Sequence, residues 1–208
     1  MARLAASAIG RATAALLDVD LQLAEDVIAA DAQLDAMRRD LDESVISVLA
    51  RQQPVATDLR ILVSALQTGA DLERAGDLAR HVAELARRRY PDPVVPAELH
   101  AVIQEMGCLA QHLMAKSADI LATREVEQAL ALESADDRMD DLHRALFQHL
   151  LDGRWQHGVQ SAVDVTLAGR FYERFADHAV HVAEHTIYLI TGARADDLPP
   201  EVAHPDRP

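Results

Sequence analysis

The chain has 208 residues, half of them hydrophobic, and a formal net charge of −14 at pH 7. This length and apolar content allow a substantial core and exclude a wholly disordered chain, while the negative charge opposes binding to nucleic acid or anionic lipid. Aromatic residues make up only 3% of the chain. Its apolar residues are mainly Ala, Leu and Val, and no stretch is apolar over the roughly 18 residues that a membrane span requires. The composition therefore predicts a soluble, all-α protein.

The apolar residues keep a helical period between breaks rich in proline and glycine. In chain order, the pattern predicts six helices near residues 2–17, 20–52, 55–89, 97–122, 124–152 and 156–192. Asp20 and Thr123 are the expected N-caps of the second and fifth helices, because their side-chain oxygens can accept a free backbone N–H group of the first turn. Cys108 lies in an apolar helical stretch and is expected to be buried.

Prolines divide the chain into two halves. Residues 90–97, YPDPVVPA, contain three prolines, which a continuous helix does not tolerate, so this stretch is predicted to be a linker. Three helices joined by short connections pack antiparallel, so residues 1–89 and 98–192 are predicted to form two tandem three-helix bundles. The polar, proline-rich residues 193–208 are predicted to be a flexible tail.

A helical stretch of the first half returns in the second. LERAGDLARHVAE, residues 72–84, reappears as YERFADHAVHVAE, residues 172–184, with eight of the thirteen positions identical. Helix propensity does not require particular acids and histidines to recur in register. The repeat therefore indicates an internal duplication, a chemical role for the acids, or both.

Two pairs of aspartates with the spacing i, i+4 each share one helix face. If the second and third helices fold back at residues 53–54, positions 31 and 35 lie opposite positions 76 and 72, beside the acids of the first repeat copy. In the same way, a turn at residues 155–156 between the fifth and sixth helices places the second aspartate pair beside the acids of the second repeat copy. The first acidic cluster is Asp31, Asp35, Glu73 and Asp77, and the second acidic cluster is Asp136, Asp140, Glu173 and Asp177.

Four converging carboxylates repel one another, and two explanations of how this repulsion is offset stay open at this point. The first is a hard cation such as Mg²⁺, Mn²⁺, Ca²⁺ or ferric iron, held by oxygen ligands from two helices. The second is a solvated acidic face that nearby arginines neutralise. These arginines are Arg38, Arg74, Arg80, Arg144 and Arg174.

Two histidines are further candidate metal ligands. His81 and His181 follow Asp77 and Asp177 by one helical turn and share their face. A histidine at such a position is more often a packed residue of a helical bundle, so both interpretations are kept.

The motifs together resemble those of the PhoU family. QQPVATDLR within residues 51–66, followed by DLERAGDLARHVAE and then by YERFADHAVHVAEHTIYLITG, carries the resemblance, which extends over residues 2–192. The resemblance implies tandem three-helix bundles with a repeated E/D-x-x-x-D motif that binds clusters of iron or other metals. ERAGD and ERFAD match that motif, and the two aspartate pairs match its acids on the preceding helix.

The same resemblance implies a function. Members of the PhoU family are negative regulators of the phosphate-starvation response that relay the state of a phosphate ABC transporter, through its ATPase, to a sensor histidine kinase. The expected protein is thus a non-enzymatic cytoplasmic adaptor that is peripheral to the membrane through its partners and does not bind nucleic acid. A divalent or trivalent ion (Mn, Mg, Fe or Zn) is the expected cofactor, and a homodimer is compatible with these expectations.

Two other functions remain to be weighed. One is a metal-dependent helical adaptor unrelated to phosphate. The other is a di-iron carboxylate oxidase, but such sites draw on four helices with Glu-x-x-His motifs, whereas this chain reads His-Val-Ala-Glu. One departure from an even repeat also stands out: matching the halves leaves residues 97–106 without a counterpart, so the first helix is expected to be shorter than the fourth.

Overall fold

The computed structural model describes residues 1–151, 153, 155–194, 197 and 198, with no side chain described at 133–135. Its helices are α1 (Ala2–Asp18), α2 (Leu21–Gln52), α3 (Ala56–Arg89), α4 (His100–Thr123), α5 (Val126–Leu151) and α6 (Gly158–Thr191), with a 3-10 turn at Ala97–Leu99. The all-α prediction is confirmed, and the helix bounds agree within a few residues. Residues 195–196 and 199–208 of the predicted tail lie outside the described residues. In the part of the chain that is described, no helix is long and apolar enough to cross a membrane.

One of the two predicted N-caps is confirmed and the other is wrong. The Asp20 carboxylate accepts a hydrogen bond from the backbone N–H of Leu23 at 3.0 Å, which satisfies a free donor at the start of α2. Thr123 is instead the last residue of α4, because Arg124 adopts a left-handed backbone with φ 60° and ends the helix there. Helix α5 begins only at Val126.

The burial predicted for Cys108 is also wrong. Its thiol is exposed, because the face of α4 that turns inward carries its neighbours Met106 and Gly107. The predicted inequality of the repeat is confirmed, since α1 has 17 residues and α4 has 24.

Glycines allow the helices of each hairpin to approach closely. Gly76 of α3 lies against Leu34 and Asp31 of α2, and a Cβ at position 76 would come within 2.5 Å of Leu34 Cδ1. Gly169 of α6 lies against His143 and Leu146 of α5 in the same way. These contacts confirm the predicted hairpin register, in which position 31 faces position 76.

The two halves pack against each other through helices that correspond in the repeat. Helix α3 contacts α6, and α1 contacts α4. The α3–α6 pair is antiparallel, because Arg88 near the end of α3 reaches Asp164 near the start of α6 at 3.0 Å, while Asp71 reaches His178 at 2.8 Å. Each helix meeting its own counterpart is the pattern of a two-fold interface, here formed within one chain.

The hydrophobic core runs without interruption through both halves. Val94 and Val95 of the predicted linker are themselves buried in it. The division of the chain into two domains at residues 90–97 therefore stays a prediction. In the structure, that stretch packs on the core.

Buried polar contacts join the halves in addition to apolar packing. The Thr13 hydroxyl of α1 donates to the carbonyl of Ile9 and lies 2.9 Å from the Tyr172 hydroxyl of α6, which therefore donates to Thr13. Asp164 is fully buried and pairs with Arg88 and, at 3.7 Å, with Arg89. Because a buried charge or hydroxyl is costly to leave unpaired, these contacts oppose separation of the halves.

Two glycines at the α1–α4 crossing provide a matched test of this packing. An added Cβ at Gly107 would meet the buried Thr13 side chain at 2.4 Å, whereas one at Gly10 would meet only the end of the exposed Gln111 side chain. We expect Gly107→Ala to lower the free energy of unfolding by ~1–3 kcal/mol through overpacking. Gly10→Ala should leave it unchanged or raise it by up to ~1 kcal/mol, because Ala favours the helix.

Urea unfolding of both variants measures the difference. Equal effects of the two substitutions would contradict the close α1–α4 contact at Thr13.

Candidate metal centres

The structure brings the four residues of the first acidic cluster together between α2 and α3. Burial raises the pKa of Asp31 above its usual value; Arg80 opposes this rise, and the charges of Asp77 and Asp35 add to it. The pKa of Glu73 is raised by burial first and then by Asp77. The four carboxylates are thus close enough to repel one another, as the hairpin register predicts.

An arginine neutralises much of the first acidic cluster. The Arg80 guanidinium donates through Nε to Asp31 at 2.7 Å, through Nη2 to Asp77 at 2.8 Å and through Nη1 to Glu84 at 2.8 Å. These are charge-assisted hydrogen bonds with the short lengths typical of strong ion pairs. One positive side chain therefore bridges the acids of α2 and α3.

The second acidic cluster forms between α5 and α6 with the same arrangement of acids. The pKa of Asp136 rises to about 6, chiefly through burial and then through the charges of Asp177, Asp140 and Glu173. The pKa of Glu173 is also raised, by burial first and then by Asp177, although Arg170 and His143 oppose the rise. Both copies of the motif thus converge four carboxylates.

The second acidic cluster lacks the bridging arginine of the first. In the repeat, the counterpart of Arg80 is Val180, which has no charge. Arg170 donates to both oxygens of Glu173 from the same helix, but Asp136 Oδ1 is buried with no hydrogen-bond partner among the described residues. A buried carboxylate oxygen without a partner is costly, so a cation or a hydrogen-bond donor placed beside it would stabilise this cluster.

His143 is a member of the second site that the sequence analysis did not identify. It lies on α5 beside Glu173, and its Nε2 is buried with no hydrogen-bond partner among the described residues. It follows Asp140 by three positions and Asp136 by seven. That spacing on one helix face is the signal that could have identified it.

Four of the five arginines expected to neutralise a solvated acidic face divide between two roles. Arg80 and Arg74 contact acids of the first acidic cluster, Arg74 at 3.4 Å from Asp77. Arg38 and Arg144 instead pair with the neighbouring Asp42 and Asp141, outside both clusters. Neutralisation by arginine thus describes the first acidic cluster well and the second poorly.

A hard cation fits the second acidic cluster. Its donors are carboxylate oxygens from two helices, one of them a buried oxygen with no hydrogen-bond partner in the described chain. Oxygen donors of this kind suit Mg²⁺, Mn²⁺ or ferric iron. At the first acidic cluster, a cation competes with Arg80 for Asp31 and Asp77.

The two candidate histidines contact the opposite half of the chain. The His81 ring packs on Phe171 of α6, with ring centroids 5.2 Å apart. His181 Nδ1 lies 3.6 Å from Asp71 Oδ1 of α3. Their role as ligands of the acidic clusters stays a prediction.

Asp71 collects three histidines of α6 at the α3–α6 contact. Its Oδ1 lies 2.8 Å from His178 Nδ1, and its Oδ2 lies 2.8 Å from His185 Nε2, with His181 at 3.6 Å from Oδ1. Burial opposes the charge of Asp71, but its hydrogen bonds with His178 and His185 and the nearby His181 more than offset it and hold the pKa of Asp71 well below its usual value. The neighbouring Asp71 carboxylate raises the pKa of His181, although burial opposes this. We call these four residues the histidine cluster.

Only part of the histidine cluster was recognisable in the sequence. The stretch DHAVHVAEH places three histidines at i, i+3 and i+7 on one face of α6. Their partner Asp71 lies more than one hundred residues earlier, and the helical pattern does not indicate that the two faces meet.

Comparisons with known proteins agree with this architecture. A family model described as PhoU domain matches residues 1–86 and 103–186. The Mycobacterium tuberculosis protein named phosphate-specific transport system accessory protein PhoU homolog 2 is 49% identical over 193 residues, covering 93% of this chain and 91% of that protein. Homolog 1 of Mycobacterium leprae is 48% identical over 197 residues, covering 95% of this chain and 89% of that protein.

Two crystal structures are similar along nearly the whole chain. PhoU from Pseudomonas aeruginosa superposes with a TM-score of 0.81 at 30% identity and covers 93% of each chain. The phosphate transport system regulatory protein PhoU from Streptococcus pneumoniae gives a TM-score of 0.83 at 22% identity, with 93% of this chain and 91% of that chain covered, and so shows the shared fold.

The raised pKa of Asp136 predicts a pH-dependent effect of Asp136→Asn on the metal-free protein. The shift from 3.8 to about 6 means that the ionised carboxylate destabilises the fold, and that this cost develops as the pH rises from about 4 through about 6. We expect Asp136→Asn to stabilise the protein near pH ~8 by on the order of 1 kcal/mol, after allowance for partial exposure, and to have little effect near pH ~4.

Thermal melting in the presence of a chelator measures this effect. Asp141→Asn is the control, because Asp141 is exposed and paired with Arg144, so its removal should bring no gain. If Asp136→Asn lowers the melting temperature at high pH, then the ionised Asp136 carboxylate stabilises the fold despite its repulsion by the neighbouring acids, and the prediction is wrong.

Proposed function

The chain belongs to the PhoU family, and we propose that it is a metal-binding accessory regulator of a phosphate transport system. In this role it represses the phosphate-starvation response by coupling a phosphate ABC transporter, through its ATPase, to a sensor histidine kinase. It works as an adaptor, not as an enzyme, and lies at the cytoplasmic face of the membrane through its partners.

The agreement of both halves of the chain with family members is the observation that carries this proposal. The relatives named accessory proteins of the phosphate-specific transport system match from the first helix to the last, at 48 to 49% identity. Because the similarity extends over both halves, it supports the proposal that this chain has the complete surface of such an accessory protein and not the surface of one bundle only.

Exposed apolar side chains at opposite ends of the molecule support an adaptor. Because α3 and α6 are antiparallel, the turn between α2 and α3 and the turn between α5 and α6 lie at opposite ends. Val55 is 73% exposed at the first end, and Leu151 and Val159 are 80% and 81% exposed at the second. Apolar side chains exposed together often mark protein contacts, and two separated ends suit a protein with two partners.

The second end also contains an apolar groove. Its volume is about 520 Å³, and its walls include Phe147, Leu150 and Trp155. A groove lined by aromatic and aliphatic side chains can receive an apolar side chain or helix of a partner protein.

The metal is proposed to have a structural role at the second acidic cluster. Asp136, Asp140, Glu173 and Asp177 would hold it, and its charge would offset their repulsion across α5 and α6. Because each acidic cluster uses two helices and no Glu-x-x-His pair, the arrangement does not favour a di-iron oxidase.

Metal content separates the two acidic clusters. After dialysis against Mn²⁺, we expect Asp177→Asn to lose most of the bound metal and Asp77→Asn to lose less, because Arg80 already occupies the first acidic cluster. Val180→Arg places an arginine where the second acidic cluster lacks one. We expect it to weaken Mn²⁺ binding roughly tenfold, since an added cation at this distance opposes the metal by at least ~1 kcal/mol.

Val180→Leu is the matched control and should bind Mn²⁺ as the wild type does. Equal metal content in the wild type and in an Asp77→Asn/Asp177→Asn double variant would mean that the acids are only a charged surface.

Gene deletion tests the regulatory role. In a strain with no second PhoU homologue, deletion should raise expression of phosphate-starvation genes in phosphate-rich medium, and the wild-type gene should restore repression. Unchanged expression after deletion would refute the regulatory proposal and favour an adaptor with partners unrelated to phosphate.

A surface variant links repression to the apolar groove. Val159→Glu alters one exposed side chain at the groove, so we expect a folded protein that no longer co-purifies with the transporter ATPase or the kinase and no longer represses. Met37→Glu, at an exposed position away from both ends, should behave as the wild type. Repression by both variants would exclude the groove as the docking surface.

A further inference from the structure

The histidine cluster has the composition of a transition-metal site. Three imidazoles from one face of α6 meet one carboxylate of α3, and ligand atoms of Asp71, His178 and His181 lie within 4.8 Å of one another. His185 Nε2 lies 2.8 Å from the other oxygen of Asp71. In a tetrahedral Zn²⁺ site with metal–ligand distances of ~2.0–2.2 Å, neighbouring ligand atoms are ~3.3 Å apart. The ligand atoms of Asp71, His178 and His181 therefore already lie near the separation that a Zn²⁺ site requires, and His185 contacts the second oxygen of the same carboxylate.

The site is enclosed and still has a path for entry. The side chains of Asp71 and His178 are only 16% and 13% exposed, whereas His181 is 50% exposed. An ion can thus reach the cluster on the His181 side and be shielded from water by the other ligands. Glu184 and Asp177 lie near His181 and add negative charge that favours a cation.

The repeat itself contains a natural comparison for the histidine cluster. At the equivalent contact on the other side of the α3–α6 interface, Asp71 corresponds to Phe171, His178 to Leu78, His181 to His81 and His185 to Leu85. There His81 packs on Phe171, and its buried Nδ1 has no hydrogen-bond partner among the described residues. Two helices of this protein can therefore pack at that position with largely apolar side chains, so packing alone does not require one aspartate and three histidines.

We propose that Asp71, His178, His181 and His185 form a binding site for a Zn²⁺-like transition metal that ties the two halves of the chain together. Imidazole and carboxylate donors suit Zn²⁺, Co²⁺ or Ni²⁺, in contrast to the all-oxygen acidic clusters, which suit harder cations. Because α3 belongs to the first half and α6 to the second, an ion bound here stabilises their contact. Zn²⁺ occupancy therefore raises the stability of the whole protein by linkage.

Zn²⁺ titration of the full chain tests the site. An Asp77→Asn/Asp136→Asn background, in which both acidic clusters are weakened, isolates the histidine cluster, and isothermal titration calorimetry should then measure one Zn²⁺ per chain. Asp71→Asn and His178→Gln each remove a ligand, and we expect affinity to fall by at least ~10–100-fold, the range seen when supporting residues of metal sites are lost. His181→Gln alters an exposed side chain and keeps the test valid if a variant of a more buried residue fails to fold.

His81→Gln is the matched control, because His81 occupies the equivalent place in the repeat and packs on Phe171, the counterpart of Asp71, and it should leave Zn²⁺ affinity unchanged. Co²⁺ bound in place of Zn²⁺ should show the visible absorption of a four-coordinate site with imidazole ligands, and X-ray absorption at the Zn edge should show two or three imidazoles. Zn²⁺ should raise the melting temperature of the background protein and not of Asp71→Asn.

Three results would overturn the proposal. One is uptake of no Zn²⁺ by the background protein. Another is Zn²⁺ affinity in Asp71→Asn and His181→Gln equal to that of the background protein. The third is a Zn-edge X-ray absorption spectrum that shows oxygen ligands only. Each of these outcomes would mean that the histidine cluster is an ion-paired contact between the halves and not a metal site.

Discussion

The antiparallel contact of α3 with α6 is the constraint on which the rest of the structure depends. These two helices of 34 residues each carry the repeated motif, contact the second helix of their own half on one side, and meet each other on the other. Their contact buries Asp164 beside two arginines and gathers three histidines around Asp71. Because the contact is antiparallel and joins each helix to its own repeat counterpart, it orients the two acidic clusters and places the turns of the two helical hairpins at opposite ends of the molecule.

The duplication produces sites that are alike in acids and different in compensating charge. Arg80 supplies a cation that bridges α2 and α3 in the first acidic cluster, whereas its counterpart Val180 has no charge to form such a bridge in the second. In the second cluster, burial and then the neighbouring acids raise the pKa of Asp136, and its buried Oδ1 has no hydrogen-bond partner among the described residues. A related divergence separates Asp71 from its counterpart Phe171. One fold therefore presents an arginine-neutralised cluster, a cluster suited to a hard cation and a histidine cluster.

In the proposed function, metal binding and partner docking would be connected through the hairpins. The second acidic cluster joins α5 to α6, and the apolar groove lies at the end of the same hairpin. A cation that removes repulsion between these helices also stabilises the walls of the groove. The first hairpin already has Arg80 between its helices, so its exposed end at Val55 depends less on metal. The two ends of the adaptor would thus differ in their response to metal availability.

The sequence by itself determined the helices, the duplication and the convergence of each set of four acids. Helix bounds follow from apolar periodicity, and the facing of Asp31 with position 76 follows from a hairpin that must turn at Pro54, because short connections leave little freedom of register. The neutralisation by Arg80, the contribution of His143 and the histidine cluster were decided only by the tertiary structure. Side-chain geometry decides which nearby carboxylate an arginine pairs with. Asp71 and His178 are 107 residues apart in the sequence. Helical periodicity indicates that a face turns inward, but it does not indicate which other helix that face contacts.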